Sequence, residues 1–265
     1  MTEKSTVDPK HPRAESLRVR ERLVEETKTG AVSVSGLIAH GRGEAFDYLI
    51  GERTLPSTRK AIRAAAAKLL LAKHPVISVN GNAAALTPKD FVALSQVTGA
   101  KIEVNLYHRI PGREQAIEKI LRQAGANEIL GLDDAAAASI PEIQSDRRRV
   151  DSNGILIADT VLVPLEDGDR TEALVRMGKT VIAVDLNPLS RTAQYASITI
   201  VDNLLRAAPL LVKEAQALKR QRKEQLQEIL SKYSNKQVLS SSIKAVLKRL
   251  RELAGKGIYL SLPKL

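Results

Sequence analysis

Short apolar runs alternate with segments of helical composition through the middle of this 265-residue chain. The apolar runs, which we predict to be strands, cover residues 76–79, 101–106, 128–132, 160–164, 180–184 and 197–201. The segments between them predict helices over residues 57–73, 88–97, 113–124, 170–177 and 203–218. Near-continuous apolar strands separated by helices are typical of a mostly parallel sheet with helices on both faces. The predicted fold class is therefore α/β.

Two further parts of the chain lie outside this alternation. An amphipathic pattern at 12–28, with Pro12 in its first turn, predicts an N-terminal helix, and residues 223–254 predict two more helices. Residues 135–151 carry no such pattern and are expected to be a connection. We therefore divide the chain into a flexible segment at 1–10, one α/β domain at 11–222, and a helical extension of that domain at 223–265.

Polar residues follow four of the predicted strands, at the point where each strand ends. They occupy residues 80–82, 166–170, 185–188 and 202–203. The carboxyl ends of parallel strands meet at one edge of a sheet, and ligands of open α/β sheets bind beyond that edge. The sequence therefore predicts a binding site formed by these four strand ends.

A second dense group of polar residues lies ahead of the first strand, at 36–54. It contains His40 and Arg42, and Gly41 and Gly43 flank the arginine. We expect a tight glycine-rich turn here, with exposed N–H groups and a guanidinium that holds a phosphate or carboxylate. His40 is placed to orient a substrate or transfer a proton, although a lone histidine is more often a simple hydrogen-bonding residue.

Composition narrows the class of protein. The chain has no cysteine, which excludes disulfides and thiolate chemistry and favours a reducing cytoplasm. It has no apolar run of about 18 residues and no signal-peptide pattern at its start, so we expect a cytoplasmic protein without a membrane partner. The formal charge of +11 is compatible with nucleic acid or with anionic small molecules, but an aromatic content of 3% argues against base-stacking platforms.

Several residues at the strand ends have two plausible roles. Asp185 could accept hydrogen bonds from a ribose or could simply form a turn, and Asp202 is a natural N-cap for the helix that follows. Asn203 could direct its amide at an adenine edge. The acids at 166–169 could bind Mg²⁺, or they could form the acidic N-terminus of a helix, where the helix dipole stabilises negative charge. The chain contains no G-x-x-x-x-G-K-[ST] motif, so a bound nucleotide would be held in a less common way.

Taken together, these segments resemble one known family. The resemblance runs through residues 11–13, 36–54, 75–82, 163–179, 184–191 and 198–203. The chain is similar to the archaeal phosphopantothenate synthetases, also called 4-phosphopantoate–β-alanine ligases. The resemblance implies ATP-dependent condensation of 4-phosphopantoate with β-alanine to give 4-phosphopantothenate, AMP and diphosphate, through an acyl-adenylate, in archaeal coenzyme A biosynthesis. It also implies a Rossmann-like fold and a homodimer.

The resemblance also implies roles for individual residues. Those expected to contact ATP are Arg20, Arg42, Asp185, Leu186, Asn187, Arg191, Thr192, Asn203 and Leu204. His40 and Arg42 are the candidate catalytic residues. Placement at the strand ends assigns Asn80, Asn82 and Arg170 to phosphopantoate. Mg²⁺ is expected to accompany ATP, with no ligands assigned.

Two alternative functions stay open at this point. A basic nucleic-acid-binding protein would use the positive faces of its C-terminal helices, and its binding would weaken steeply with salt. A related ATP-dependent ligase of the same fold would join another acid to another amine. The ligase predicts loss of function on changing Arg42 or Asp185, whereas the nucleic-acid-binding protein does not.

Overall fold

A five-stranded parallel sheet lies at the centre of the structure, a computed structural model that describes residues 7–11, 13–165 and 167–256. The strands are β1 (Pro75–Val79), β2 (Lys101–Val104), β3 (Ala137–Ser139), β4 (Arg149–Asp151), β5 (Thr160–Pro164), β6 (Thr180–Val184) and β7 (Ile198–Ile200). The helices are α1 (Ala14–Lys28), α2 (Val34–Ile50), α3 (Pro56–Leu71), α4 (Gly81–Leu86), α5 (Pro88–Thr98), α6 (Arg113–Gln123), α7 (Gly168–Arg176), α8 (Arg191–Tyr195), α9 (Leu204–Leu218), α10 (Lys223–Ser231) and α11 (Asn235–Gly255).

The order of the strands places a topological switch point in the middle of the sheet. The order is β2-β1-β5-β6-β7, and all neighbouring pairs are parallel. From β1 the chain moves outward to β2, and from β5 it moves outward in the other direction to β6 and β7. The carboxyl ends of β1 and β5 are therefore where a crevice is expected.

Alternating residues of the strands supply two separate cores. On one face, Ile77, Leu162 and Ile182 pack with apolar residues of α3, α5 and α9. On the other face, Val161 and Val181 pack with α7 and with apolar residues of 140–158. Both faces of the sheet are covered, which confirms the predicted α/β class.

The structure corrects the sequence predictions in three places. Residues 128–132 form no strand, and Leu130 makes one isolated bridge to Glu103. Gly131, which follows Leu130, has a left-handed backbone (φ 82°), and a Cβ there would lie 2.4 Å from the carbonyl oxygen of Val104. The expected connection at 135–151 contains the antiparallel pair β3–β4. The polar turn expected at 80–82 is the start of α4, with Asn80 as its N-cap.

The glycine-rich turn expected around Arg42 is also wrong, because the segment is the helix α2. Ser33 caps its first turn by accepting a hydrogen bond from Gly36 N (3.1 Å), and Gly51 ends it in the left-handed conformation (φ 91°). The interior glycines allow close packing instead of a turn. A Cβ on Gly36 would lie 2.4 Å from the Asn82 side chain, and one on Gly43 would contact Leu186.

Both terminal helical regions are present. The N-terminal helix is α1, which packs on α4, and Pro12 lies outside the described residues. The C-terminal helices α10 and α11 pack on α3. Residues 1–6 and 257–265, which belong to the predicted flexible segment and to the helical extension, also lie outside the described ranges. Within those ranges, no helix combines the length and apolar character that crossing a lipid bilayer requires.

Candidate functional site

A cleft of about 320 Å³ opens at the switch point between β1 and β5. Residues from α2, from the end of β1 and from the start of α6 line it. The polar residues that line it include His40, Arg42, Asn80, Asn82, His108, Arg113, Arg147 and Asp167. A larger cavity of about 910 Å³ lies between α3, α10 and α11, but it holds none of the predicted site residues. The smaller cleft is therefore the candidate site.

The two asparagines that follow β1 hold the floor of this cleft together. Asn80 accepts a hydrogen bond from Ala83 N (3.0 Å) and donates to the carbonyls of Pro164 and Leu165 at the end of β5 (both 3.1 Å). Asn82 donates to Gly36 O of α2 (2.8 Å). Leu165 has a left-handed backbone (φ 54°), which is costly for a residue with a branched side chain. This strained residue lies where the ends of the two central strands meet.

His40 lies in the cleft close to a cluster of charged side chains on α1 and α2. Glu44 accepts hydrogen bonds from Arg20 (3.0 Å to each oxygen) and from Ser16 (2.7 Å). Burial lowers the pKa of His40; the nearby Glu44 carboxylate opposes this shift and Arg20 adds to it. His40 is therefore neutral at neutral pH and able to accept a proton. Arg20 reaches this cluster from α1, and its side chain is about half exposed.

Asp185, at the end of β6, forms the turn that the simpler interpretation predicted. Its carboxylate accepts hydrogen bonds from Asn187 N (2.9 Å) and from the Ser190 hydroxyl. Burial raises the pKa of Asp185, while these hydrogen bonds and the nearby Arg42 lower it. Leu186 is buried against Ile50 and Val201. Arg42 therefore lines the cleft and also lies close to the end of β6.

The end of β7 is joined to α2 by a buried ionic network. Asn203, and not Asp202, is the N-cap of α9, and it accepts from Leu205 N (3.1 Å). Asp202 instead accepts from Thr54 (2.5 Å) and Arg206 (2.9 Å). The amide of Asn203 donates to Asp47 of α2 (3.0 Å), which also binds Arg206. The next residue along α9, Leu204, is buried in the core.

Other predicted site residues lie away from the cleft. Arg191 is exposed and pairs with Asp169 (2.5 Å) and Glu172 (2.9 Å), and Thr192 is buried beside it in α8. Arg170 is 1% exposed and donates to Ser78 (2.8 Å) beneath the sheet, so it does not line the cleft. Asp167 pairs with Arg147 (2.7 Å), and Glu166 lies outside the described residues. Over the part of the chain that is described, no group of three or more metal-ligating side chains occurs.

Two cleft arginines were missed by sequence reasoning. Arg113 begins α6 and Arg147 lies in a short 3₁₀ turn, and both are more than nine-tenths buried. Neither residue stands in a local sequence motif, and it is the sheet topology that brings both of them to the cleft. Arg113 does follow a Pro-Gly turn, which could have marked it as a helix start near a strand end.

Comparison with known proteins agrees with the resemblance seen in the sequence. The family model described as phosphopantothenate/pantothenate synthetase matches residues 57–249. The chain is 53% identical over 249 residues to the 4-phosphopantoate–β-alanine ligase of Methanosarcina mazei, which covers 94% of this chain and 97% of that protein. It is 52% identical over 250 residues to the enzyme of the same name from Thermococcus kodakarensis, covering 94% and 95%. The chain belongs to the phosphopantothenate/pantothenate synthetase family.

Proposed function

We propose that this protein is a 4-phosphopantoate–β-alanine ligase that uses ATP and releases AMP and diphosphate. The observation that carries the proposal is the identity of 50–53% with three relatives of that name, each across 94% of this chain. The cleft supports it, because five of the eight polar residues named above are Arg or Asn, whose N–H groups donate to anions, and ATP and 4-phosphopantoate are anions. Archaeal coenzyme A biosynthesis is the pathway this activity serves.

The proposed reaction consists of two displacement steps, each of which forms one bond and breaks another, and it needs no protein nucleophile. A carboxylate oxygen of 4-phosphopantoate bonds to the α-phosphorus of ATP, and the bond to the diphosphate leaving group breaks. The ammonium of β-alanine gives up one proton, and the resulting amine nitrogen bonds to the activated carbonyl carbon. The bond from that carbon to AMP breaks, and the nitrogen loses one more proton to leave the amide N–H. A chain without cysteine suits this route, since positioning and charge stabilisation can supply the catalysis.

ATP is proposed to bind at the ends of β6 and β7. The donor set there fits a nucleotide: carboxylate and amide groups follow two adjacent strands, and Arg42 of α2 lies close to them. The residues proposed to contact it are Arg20, Arg42, Asp185, Leu186, Asn187, Arg191, Thr192, Asn203 and Leu204. Mg²⁺ is proposed to enter with the triphosphate and to neutralise part of its charge.

The acid substrate is proposed to occupy the cleft beside the nucleotide. Asn80 and Asn82 line the cleft, and Arg42 lies between it and the end of β6, where a carboxylate would meet the α-phosphate. The neutral His40 is proposed to accept a proton from the β-alanine ammonium. Arg170 was assigned to the same substrate, but its burial beneath the sheet supports a role in holding β1 and α7 together.

We also propose that the enzyme is a cytoplasmic homodimer, as the resemblance implies. Val34 and Ile38 lie one turn apart on α2, and both are about 70% exposed, which is unusual for apolar residues beside a site. Light scattering coupled to size-exclusion chromatography measures the mass directly. A mass of twice 28.8 kDa supports the dimer, and a mass of 28.8 kDa at micromolar concentration contradicts it.

The activity is tested by omitting each substrate in turn. Purified protein is given ATP, Mg²⁺, 4-phosphopantoate and β-alanine, and the nucleotide and acid products are separated and identified by mass. We expect 4-phosphopantothenate and AMP only when all three substrates are present. Release of ADP would indicate a ligase that proceeds through an acyl phosphate instead of an acyl-adenylate. An absence of turnover by folded protein would contradict the proposal. Replacing 4-phosphopantoate by other acids tests the related-ligase alternative.

A further inference from the structure

Arg113 differs in its partners from Arg147, the other buried arginine that lines the cleft. Its side chain is held by two neutral acceptors: Nε donates to Gly30 O (3.1 Å) and Nη1 donates to His108 O (3.0 Å). Arg147, in contrast, is neutralised by Asp167 at 2.7 Å. Among the described residues, no carboxylate lies within ion-pair distance of Arg113, although the residue is only 9% exposed.

A buried cation held by carbonyl groups alone is costly to the folded chain. Burial lowers the pKa of Arg113, and no neighbouring carboxylate opposes that shift. Removing a guanidinium from water without a counter-charge is unfavourable by several kcal/mol in general, so such groups usually meet an anion. The fixed Nε and Nη1 bonds also hold the guanidinium in one orientation, which reduces the entropy lost when a ligand binds.

The surroundings of Arg113 favour a doubly charged anion. Arg42 and Arg147 line the same cleft, whereas Asp167, which is already bonded to Arg147, is the one carboxylate among the described lining residues. The cleft is therefore positive where Arg113 lies. A guanidinium presents a fork of N–H donors that matches phosphate oxygens.

The proposed ATP residues other than Arg42 do not line this cleft, which leaves its positive region for the other anionic substrate. Asp185, Asn187 and Asn203 follow β6 and β7 and do not line the cleft. Arg42 is the residue shared by both regions. An acid with a carboxylate near Arg42 and a phosphate at its other end would reach from the nucleotide to Arg113.

On the basis of the function proposed above, we propose that Arg113 binds the phosphate of 4-phosphopantoate and makes the enzyme select this acid over unphosphorylated pantoate. When pantoate binds, the buried guanidinium stays without a counter-charge, so the binding of pantoate does not offset the unfavourable free energy of burying Arg113. Selection by a polar group left unpaired is the strongest form of discrimination available to such a site. Arg113 is thus a specificity-determining residue.

The test compares Arg113→Gln, Arg113→Lys and the wild type with both acids. We expect Arg113→Gln to raise KM for 4-phosphopantoate by roughly 10- to 100-fold, the range for loss of a charge-assisted contact, while KM for ATP changes by less than about 2-fold. The ratio of kcat/KM for the two acids should fall by a similar factor, and Arg113→Lys should recover part of it. Arg122→Gln is the control, since Arg122 is an exposed arginine of α6 paired with Glu118, and its removal should leave every constant unchanged.

Binding measured by titration calorimetry separates this proposal from the proposed function. If the wild type binds 4-phosphopantoate more tightly than pantoate and the difference depends on Arg113, the proposal holds even if no product forms. If product forms but Arg113→Gln and Arg113→Lys, both with melting curves like that of the wild type, keep the preference for the phosphorylated acid, the proposal is overturned and the function stands. If the folded wild type binds neither acid, the proposal is overturned as well.

Discussion

Three side chains of α2 face three different parts of the candidate site. His40 and Arg42 line the cleft, Arg42 also lies near Asp185, and Asp47 binds the amide of Asn203 at the end of β7. A single helix therefore positions the groups that we propose to bind the acid, to transfer the proton and to bind the nucleotide. Because these groups share one rigid element, a small displacement of α2 would change all of them together.

His40 provides a prediction at the residue scale. Because burial lowers its pKa below 6.5, His40 becomes protonated, and unable to accept a proton, only in more acidic solution. We expect kcat/KM for β-alanine to fall on the acid side with a midpoint below pH 6.5. His40→Gln should abolish this dependence and lower kcat by about 100-fold or more, the typical contribution of a general base. His74→Gln, which changes an exposed histidine before β1, is the control. An acid limb that persists unchanged in His40→Gln would exclude His40 as the proton acceptor.

At the scale of elements, the five strands of the central sheet were predicted, whereas the absence of a strand at 128–132, the pair β3–β4 and the helix α2 were not. Strands β5 and β6 were predicted with their observed bounds, because each is a β-branched apolar run between polar residues. The glycines around Arg42 misled the prediction. Local preference favours a turn there, but the caps at both ends and the close contacts with Asn82 and Leu186 favour a helix. Such contacts join residues far apart in the chain, so no local pattern contains them.

The close approach of α4 to the segment before α2 gives a prediction for a single glycine. A Cβ on Gly81 would lie 2.0 Å from the backbone oxygen of Ala31, which cannot move aside as a side chain could. We expect Gly81→Ala to lower the free energy of unfolding by about 1–3 kcal/mol, measured by urea denaturation. Gly41→Ala is the matched control, because a Cβ there meets nothing within 4 Å in the interior of α2. It should stabilise the protein by about 0.5–1 kcal/mol. Equal stability of the two variants would contradict the packing described.

At the scale of the whole molecule, the sheet order brings the site together. The sequence predicted which strand ends carry polar residues, and the switch point between β1 and β5 decides which of them share a cleft. Arg113 and Arg147 reach it from separate connections, so their part in the site could not be predicted from spacing. Arg170 shows the converse. Its place just after a strand end suggested a contact with ligand, but its partner Ser78 alternates along β1 with residues of the first core, so Arg170 is buried on the sheet face that packs against α7.

Glu103 links β2 to the region that covers the second face, and it makes global stability depend on pH. Its carboxylate accepts hydrogen bonds from Asp151 N (3.1 Å) and Ile155 N (2.6 Å), and burial raises its pKa to about 7. In the unfolded chain a glutamate has a pKa of about 4.3. The folded state therefore keeps a proton that the unfolded state has lost, so this group reduces stability as the pH rises from about 4.5 to 7.

This linkage is tested by the free energy of unfolding of Glu103→Gln from pH 4.5 to 8. Relative to the variant, the wild type should lose stability across that range by an amount on the order of 3 kcal/mol, and the difference should level off above pH 7. Glu128→Gln, which changes an exposed glutamate near the same edge of the sheet, should follow the wild type. Curves for Glu103→Gln and wild type that stay parallel would contradict a raised pKa.

The central claim is that the cleft and the adjacent strand ends bring a carboxylate to the α-phosphate of ATP. The most direct measurement uses 4-phosphopantoate labelled with ¹⁸O in its carboxylate, with ATP, Mg²⁺ and β-alanine, and follows the label by mass spectrometry. We predict that each turnover places one carboxylate oxygen in the phosphate of AMP, because that oxygen bridges the acyl group and the α-phosphorus before the amine attacks. AMP without label, or label found in inorganic phosphate beside ADP, would contradict the account.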